Sequence, residues 1–254
     1  MAHSALRPRS VTEIVDAAFQ ILRAHYGQFV ICSSLAYLPW LMLELLGLGD
    51  PEQWAGTEWW VVVIGGVGIW ISFALMSAVI ITCASAAYLG EPVDVENAVR
   101  RALPRLPRVM IGAVLRYACL ILGLAFFLVG ALWVAARLFA LTPSIILEDA
   151  SVRRAFVRSG ELARGRKRHI LNTLGLVAVI YWMIALGVSI FAAVSGNFVV
   201  QALARAVYTV LAYPVIAITE TLLYYDARIQ REGLDIELMA ESLGGAPSAL
   251  PTAR

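Results

Sequence analysis

Five apolar runs, at approximately residues 28–48, 59–88, 109–147, 170–194 and 206–225, constrain this chain more than any other feature. A helix rises 1.5 Å per residue, so about 20 apolar residues cross the ~30 Å hydrocarbon core of a bilayer. The first, fourth and fifth runs each suit one crossing. The second opens with Trp59-Trp60, an aromatic pair of the kind that sits at a membrane interface. The third run, 109 to 147, would be ~58 Å long as a single helix, about twice the core thickness. A tight reversal near Val129-Gly130 resolves this, giving spans at 109–128 and 131–147. Composition agrees. The chain is 60% apolar and 15% charged, against about 45–50% and 25% in soluble domains.

Cation placement supports six spans. With a cytoplasmic N-terminus, Lys plus Arg on the inner side number 3 in residues 1–27, 4 in 89–108, 7 in 148–169 and 3 in 226–254. Only Arg205 falls outside, while Arg116 and Arg137 lie within spans. Five spans would reverse much of that asymmetry, against the positive-inside rule. The loop 49–58 (GDPEQWAGTE) has no cation and sits outside, as the rule prefers. The expected architecture is all-α: residues 1–27 form a cytoplasmic amphipathic segment, 28–226 a six-helix membrane domain, and 227–254 a cytoplasmic tail. From about 244 the tail (GGAPSALPTAR) reads as disordered.

Three segments outside the spans share a pattern. Ser10 precedes Val11, Ile14, Val15 and Ala18, with Glu13 completing a capping box. Asp94 precedes Val95, Ala98, Val99 and Ala102, and Ser151 precedes Val152, Ala155 and Phe156. Each leads into two spans, which suggests three units of interfacial helix plus transmembrane hairpin.

The third segment belongs to the most basic stretch, SVRRAFVRSGELARGRKRHI (151–170). It carries Arg153, Arg154, Arg158, Arg164, Arg166, Lys167 and Arg168 against one anion, Glu161. A basic helix tethered at both ends to a bilayer lies on anionic headgroups, each cation contributing about 1 kcal/mol. The alternative is that these cations only fix topology. Nucleic-acid binding would need stacking aromatics or a groove-reading module, and Phe156 is committed to the apolar face.

Glu44, Arg116, Arg137 and Glu220 interrupt the spans. A charge at mid-bilayer costs ~2.5–3.5 kcal/mol on insertion scales, so each calls for a partner. Counting depth from the span ends pairs Arg116 with Glu220 on the inner side and Glu44 with Arg137 on the outer. The same four groups could instead line a polar path for a proton, an ion or a headgroup. Ala74, Ala78, Thr82 and Ala86 form a small-residue stripe on span two, a close-approach face for a helix of this chain or of a partner. Pro39, Pro143 and Pro214 are expected to kink spans one, four and six.

No catalytic or metal site is expected. His3, His25 and His169 are scattered, Cys32, Cys83 and Cys119 lie in apolar runs, and no hydrolase or metalloprotease motif is present. Gly65-Gly66-Val67-Gly68 lacks the context of a phosphate loop.

Glu148, Ala155, Phe156, Arg158, Ser159, Leu162 and Gly165 form an E…A-F-x-R-S-x-x-L-x-x-G pattern, and LLYYDARIQREGLD follows at 222–235. With RPRSVTEIVDAAFQILRAHYG at the start, the chain resembles a bacterial group of six-span proteins. That group is similar to the membrane domain attached to some glycerophosphoryl diester phosphodiesterases. The resemblance implies a bacterial inner-membrane protein and transfers no catalytic residue. Residues 227–254 are all that follow span six here, so no phosphodiesterase activity is expected. At the exit of span six, Tyr224 and Tyr225 suit the interface. Asp226 is expected to form a juxtamembrane clasp with Arg228, Arg153 or Arg154, and Gly233 to end the helix. The reading is a non-enzymatic, cofactor-free membrane protein engaging anionic lipid through residues 153–168. The alternative is a transporter or channel subunit using the buried charges.

Overall fold

A computed structural model describes residues 10–45 and 59–232, and every regular element among them is helical. The loop 49–58, residues 1–9, Gly233 and the tail from 233 lie outside the described residues. The helices are α1 (Val11–Ala24), α2 (Tyr26–Leu45), α3 (Trp59–Leu89), α4 (Val95–Ala102), α5 (Leu106–Leu124), α6 (Phe127–Arg137), α7 (Leu141–Leu147), α8 (Val152–Leu162), α9 (Lys167–Val194) and α10 (Phe198–Glu232). A single 3-10 turn, Leu103–Arg105, joins α4 to α5. Among the described residues, six stretches are long and apolar enough to cross a membrane: Tyr26–Leu45, Val63–Leu89, Val95–Leu124, Phe127–Leu147, Lys167–Val194 and Phe198–Glu232.

The helix starts follow local chemistry. The Ser10 side chain accepts from the Glu13 amide while the Glu13 carboxylate accepts from the Ser10 amide, a reciprocal capping box. Asp94 accepts from the amides of Glu96 and Asn97, and Ser151 from that of Arg154. Each short helix then buries one face: Ile14, Val15 and Ala18 on α1, Ala98 and Ala102 on α4, Ala155 and Leu162 on α8.

α3 and α10 form the centre. α10 packs against α1, α2, α3 and α9, and Met76, Ile80, Ile81, Ile218 and Tyr224 are fully enclosed between the helices. Most of α9 faces outward, with Val179, Trp182, Met183 and Phe191 exposed, as an apolar helix against lipid chains would be. The free thiols of Cys32 and Cys83 pack α2 against α3 with their sulfurs 3.6 Å apart.

The third apolar run does form a hairpin, but the reversal comes at Ala125-Phe126, earlier than Val129-Gly130. Phe127, not a glycine, takes the left-handed turn conformation at φ 58°. Gly130 lies inside α6, where it lets the backbone meet Gly123 of α5. A Cβ on Gly123 would come within 2.9 Å of the Gly130 carbonyl oxygen. The returning arm then breaks at Leu138–Ala140 instead of bending at Pro143. Pro143 occupies the first turn of α7, where no backbone N–H is required of it. Pro39 and Pro214 lie within α2 and α10. α10 continues to Glu232, so residues 227–232, expected in the tail, extend the last spanning helix.

Candidate functional site

Arg116 and Glu220 face each other across a cavity of about 390 Å³ between α3, α5 and α10. Both terminal guanidinium nitrogens donate to Glu220 Oε1, at 3.3 and 3.2 Å. Ser77, Tyr117 and Tyr213 add hydroxyls to the wall, and Trp70 closes it edge-to-face on Tyr117. The neighbours of Glu220 contribute nothing polar, since Thr219 and Thr221 donate back to the carbonyls of Val215 and Ala217 on their own helix. Glu220 sits six residues before Asp226, about 9 Å along α10. The ion pair therefore lies well inside the apolar stretch, where an unneutralised charge would cost ~2.5–3.5 kcal/mol.

The expected outer pair is different. Glu44 meets Arg205, whose Nε lies 2.9 Å and Nη2 2.7 Å from Oε1, and Arg137 is elsewhere. Two boundaries explain this. α10 begins at Phe198, so Arg205 is two turns inside the helix opposite α2 and not in the loop. The early reversal also carries Arg137 away from the hairpin tip: seven residues beyond the Gly123–Gly130 contact, the two arms reach Arg116 and Arg137 together. Arg137 thus lies toward the inner end of the hairpin and not at its tip, against Ser159 and Gly160 of α8. Its guanidinium lies along α8 and over Trp133, with Cζ 5.4 Å from the ring centroid; a Cβ at Gly160 would stand 3.2 Å from it. Lys167 Nζ sits 4.1 Å from the centroid of the same ring. Among the described residues no carboxylate lies within 4.0 Å of Arg137 or Lys167. Arg137 is exposed and Lys167 half-buried, so cation–π contact with Trp133, about 0.5–2 kcal/mol, is the main attraction their charges have within the chain.

At the end of the bundle where the cations concentrate, two networks lock α8, α9 and α10 together. Arg158 donates through Nε to both oxygens of Glu148, at 2.9 and 3.1 Å, and through its terminal nitrogens to Glu232. Burial disfavours the Arg158 charge, but the hydrogen bonds to Glu232 and Glu148 outweigh it, so its pKa is raised. Tyr224 donates to Glu148 at 2.7 Å, and Arg228 donates to Glu232 at 3.0 Å. Separately, Arg166 donates to Asp226 at 2.5 Å, with Gln230 on the same carboxylate. The clasp on Asp226 is therefore made by Arg166, not by Arg228, Arg153 or Arg154. Arg228, one turn below Glu232 on the same helix, is nearer its own acid.

α8 also repairs the break between α6 and α7. Buried Ser159 donates to the Arg137 carbonyl at 2.8 Å and accepts from the Ala140 amide at 3.0 Å. Asp149, before α8, takes the left-handed conformation at φ 52° and accepts from Arg105, at the end of the 3-10 turn, and from Arg108 of α5. The hydrogen bond from Arg105, with the two nearby charges, holds its carboxyl below the ordinary value.

Of the seven cations in 151–170, Arg158 and Arg166 are thus neutralised internally, Lys167 leans on Trp133, and Arg153, Arg154, Arg164 and Arg168 are exposed. Beside Arg153, an apolar groove of about 530 Å³ opens between α5 and α8, lined by Ile111, Leu115, Cys119, Phe156 and Val157. On α3, Ala74 and Ala78 are buried within the chain and Thr82 and Ala86 are half-buried, so intramolecular packing takes up the upper part of the stripe. Sequence reasoning missed Trp133, Gly160, Arg205 and Glu232; of these, only the Arg228–Glu232 spacing of four carried a readable signal. No family model, curated protein or solved structure matches the chain.

Proposed function

We propose that this is a non-enzymatic multi-pass protein of a bacterial inner membrane, with its basic end cytoplasmic, that engages anionic lipid headgroups through α8 and the start of α9. The observation that carries the reading is the face of α8. Arg153 and Arg154 are exposed there beside Val157, itself 55% exposed, and the apolar groove reaches Arg153. A headgroup phosphate on the arginines would leave an acyl chain over the groove, satisfying both kinds of surface at once. The cation asymmetry along the chain supports the orientation. On this reading α1, α4 and α8 are interfacial helices, each heading one hairpin of a threefold repeat. The proposed kinship with the phosphodiesterase-linked membrane domains rests on Glu148, Arg158, Asp226 and Arg228, which here meet acid to base in the locking networks. Native mass spectra of protein released from mixed-lipid nanodiscs test the function. The parent should retain anionic lipid that a variant with Arg153, Arg154, Arg164 and Arg168 all changed to Gln loses; equal retention would reduce the stretch to a topology signal.

The Arg116–Glu220 cavity favours a second reading, a transporter or channel subunit with the pair in a polar path. Flux into proteoliposomes that disappears with Glu220→Gln would support it.

A further inference from the structure

We propose that Arg137, Lys167 and Trp133 form a discrete site for the phosphate of one anionic phospholipid, set between α6 and α9 and separate from the α8 groove. The proposal rests on the lipid-engaging reading above and gives it a defined address. Two cations converge on one indole ring, at 5.4 and 4.1 Å from its centroid. Two other arginines inside the spanning helices each have a carboxylate partner: Arg116 has Glu220 and Arg205 has Glu44. Arg137 and Lys167 have none among the described residues, and an anion beside the ring would be attracted by both charges at once.

The surroundings decide the kind of anion. Toward the hairpin tip, α6 presents Leu132, Val129 and Leu128 outward, all exposed. α9, which packs on α6, also exposes apolar side chains, Val179 and Met183 among them. An anion held at Trp133 thus has hydrocarbon-compatible surface extending from it in one direction. That is the profile of a phosphodiester carrying acyl chains, not of a free ion. Lys167, the first residue of α9, reaches the Trp133 ring, so the ring lies within a lysine side chain of the end of that spanning helix. Gly160 lets the guanidinium of Arg137 lie close on α8: a Cβ there would meet it at 3.2 Å, and it would have to shift by a few tenths of an ångström.

The test titrates phosphatidylglycerol into the delipidated full chain in detergent, read by native mass spectrometry. Phosphatidylcholine and inorganic phosphate are the comparison ligands. The parent should hold one phosphatidylglycerol more tightly than any phosphatidylcholine. Arg137→Gln and Lys167→Gln should each weaken it about fivefold, as expected for one cation near a membrane surface, and their combination more. Lys167 is the first residue of α9, so its variant reports on the site even if Arg137→Gln fails to fold. Unchanged affinity in Lys167→Gln and in any folded Arg137→Gln overturns the site. Displacement of the lipid by inorganic phosphate reassigns it to a free anion and also overturns the proposal. An Arg153→Gln/Arg154→Gln variant separates the two readings. Anionic lipid lost there but kept in the Arg137 and Lys167 variants retains the α8 reading and removes this site; lipid kept by all of them removes both.

Discussion

Arg116 places both terminal nitrogens on a single oxygen of Glu220, in a helix stretch with no other acid nearer than Asp226. Glu220→Gln therefore leaves a cation inside the membrane, at a cost of about 3 kcal/mol. Arg116→Gln should cost a similar amount, but the two together much less than the sum, because neither charge is then stranded. Thermal unfolding of the four proteins in one detergent gives the coupling. Strict additivity would mean that the pair does not act as a unit.

The Glu44–Arg205 contact makes a sharper claim, since it replaces the partner that depth counting assigns. Arg205→Gln should lower stability by about 2–3 kcal/mol and be largely indifferent to a second change at Glu44. Arg137→Gln combined with Glu44→Gln should be additive. Restored stability in a Glu44→Arg/Arg205→Glu exchange would complete the case, and coupling between Glu44 and Arg137 would refute it.

The two pairs show what the sequence made legible. Run lengths and cation placement gave six candidate crossings, because both follow from bilayer thickness and charge cost. Ser10, Asp94 and Ser151 were readable as caps because a cap is decided within four residues. Arg116–Glu220 was readable because each lies a countable distance from a helix end. Arg137 was not, since the turn at Ala125-Phe126 displaced it by about a helical turn relative to a reversal at Val129-Gly130. Asp226 had several arginines within plausible reach, and only the packing of α9 on α10 selects Arg166. Local chemistry leaves such choices open when partners are 60 residues apart.

The α5–α6 hairpin depends on two glycines for close approach and not for turn geometry. A Cβ on Gly130 would run into the Gly123 carbonyl oxygen, which is backbone and cannot swing aside. Gly130→Ala should destabilise by about 2–3 kcal/mol, in the range for overpacked cores. Gly160→Ala meets only the mobile end of Arg137 and should cost less than about 1 kcal/mol. Melting temperatures of the two variants in the same detergent rank them, and the reverse order would show that the arms are free to separate.

Asp149 combines a backbone and an electrostatic requirement that different substitutions separate. Asparagine also tolerates its left-handed conformation, whereas alanine does not. Asp149→Asn should thus lose only the contacts with Arg105 and Arg108 and melt above Asp149→Ala. The Asp149 carboxyl sits below its ordinary value of 3.8 in the folded state. The unfolded chain therefore binds the proton first as pH falls. The stabilisation from Asp149 is complete above that ordinary value and fades as pH drops through the folded one. Acidification from neutral pH to below 3.8 should narrow the gap in melting temperature between the parent and Asp149→Asn. A gap that stayed constant would show that the two arginines do not act on the Asp149 charge.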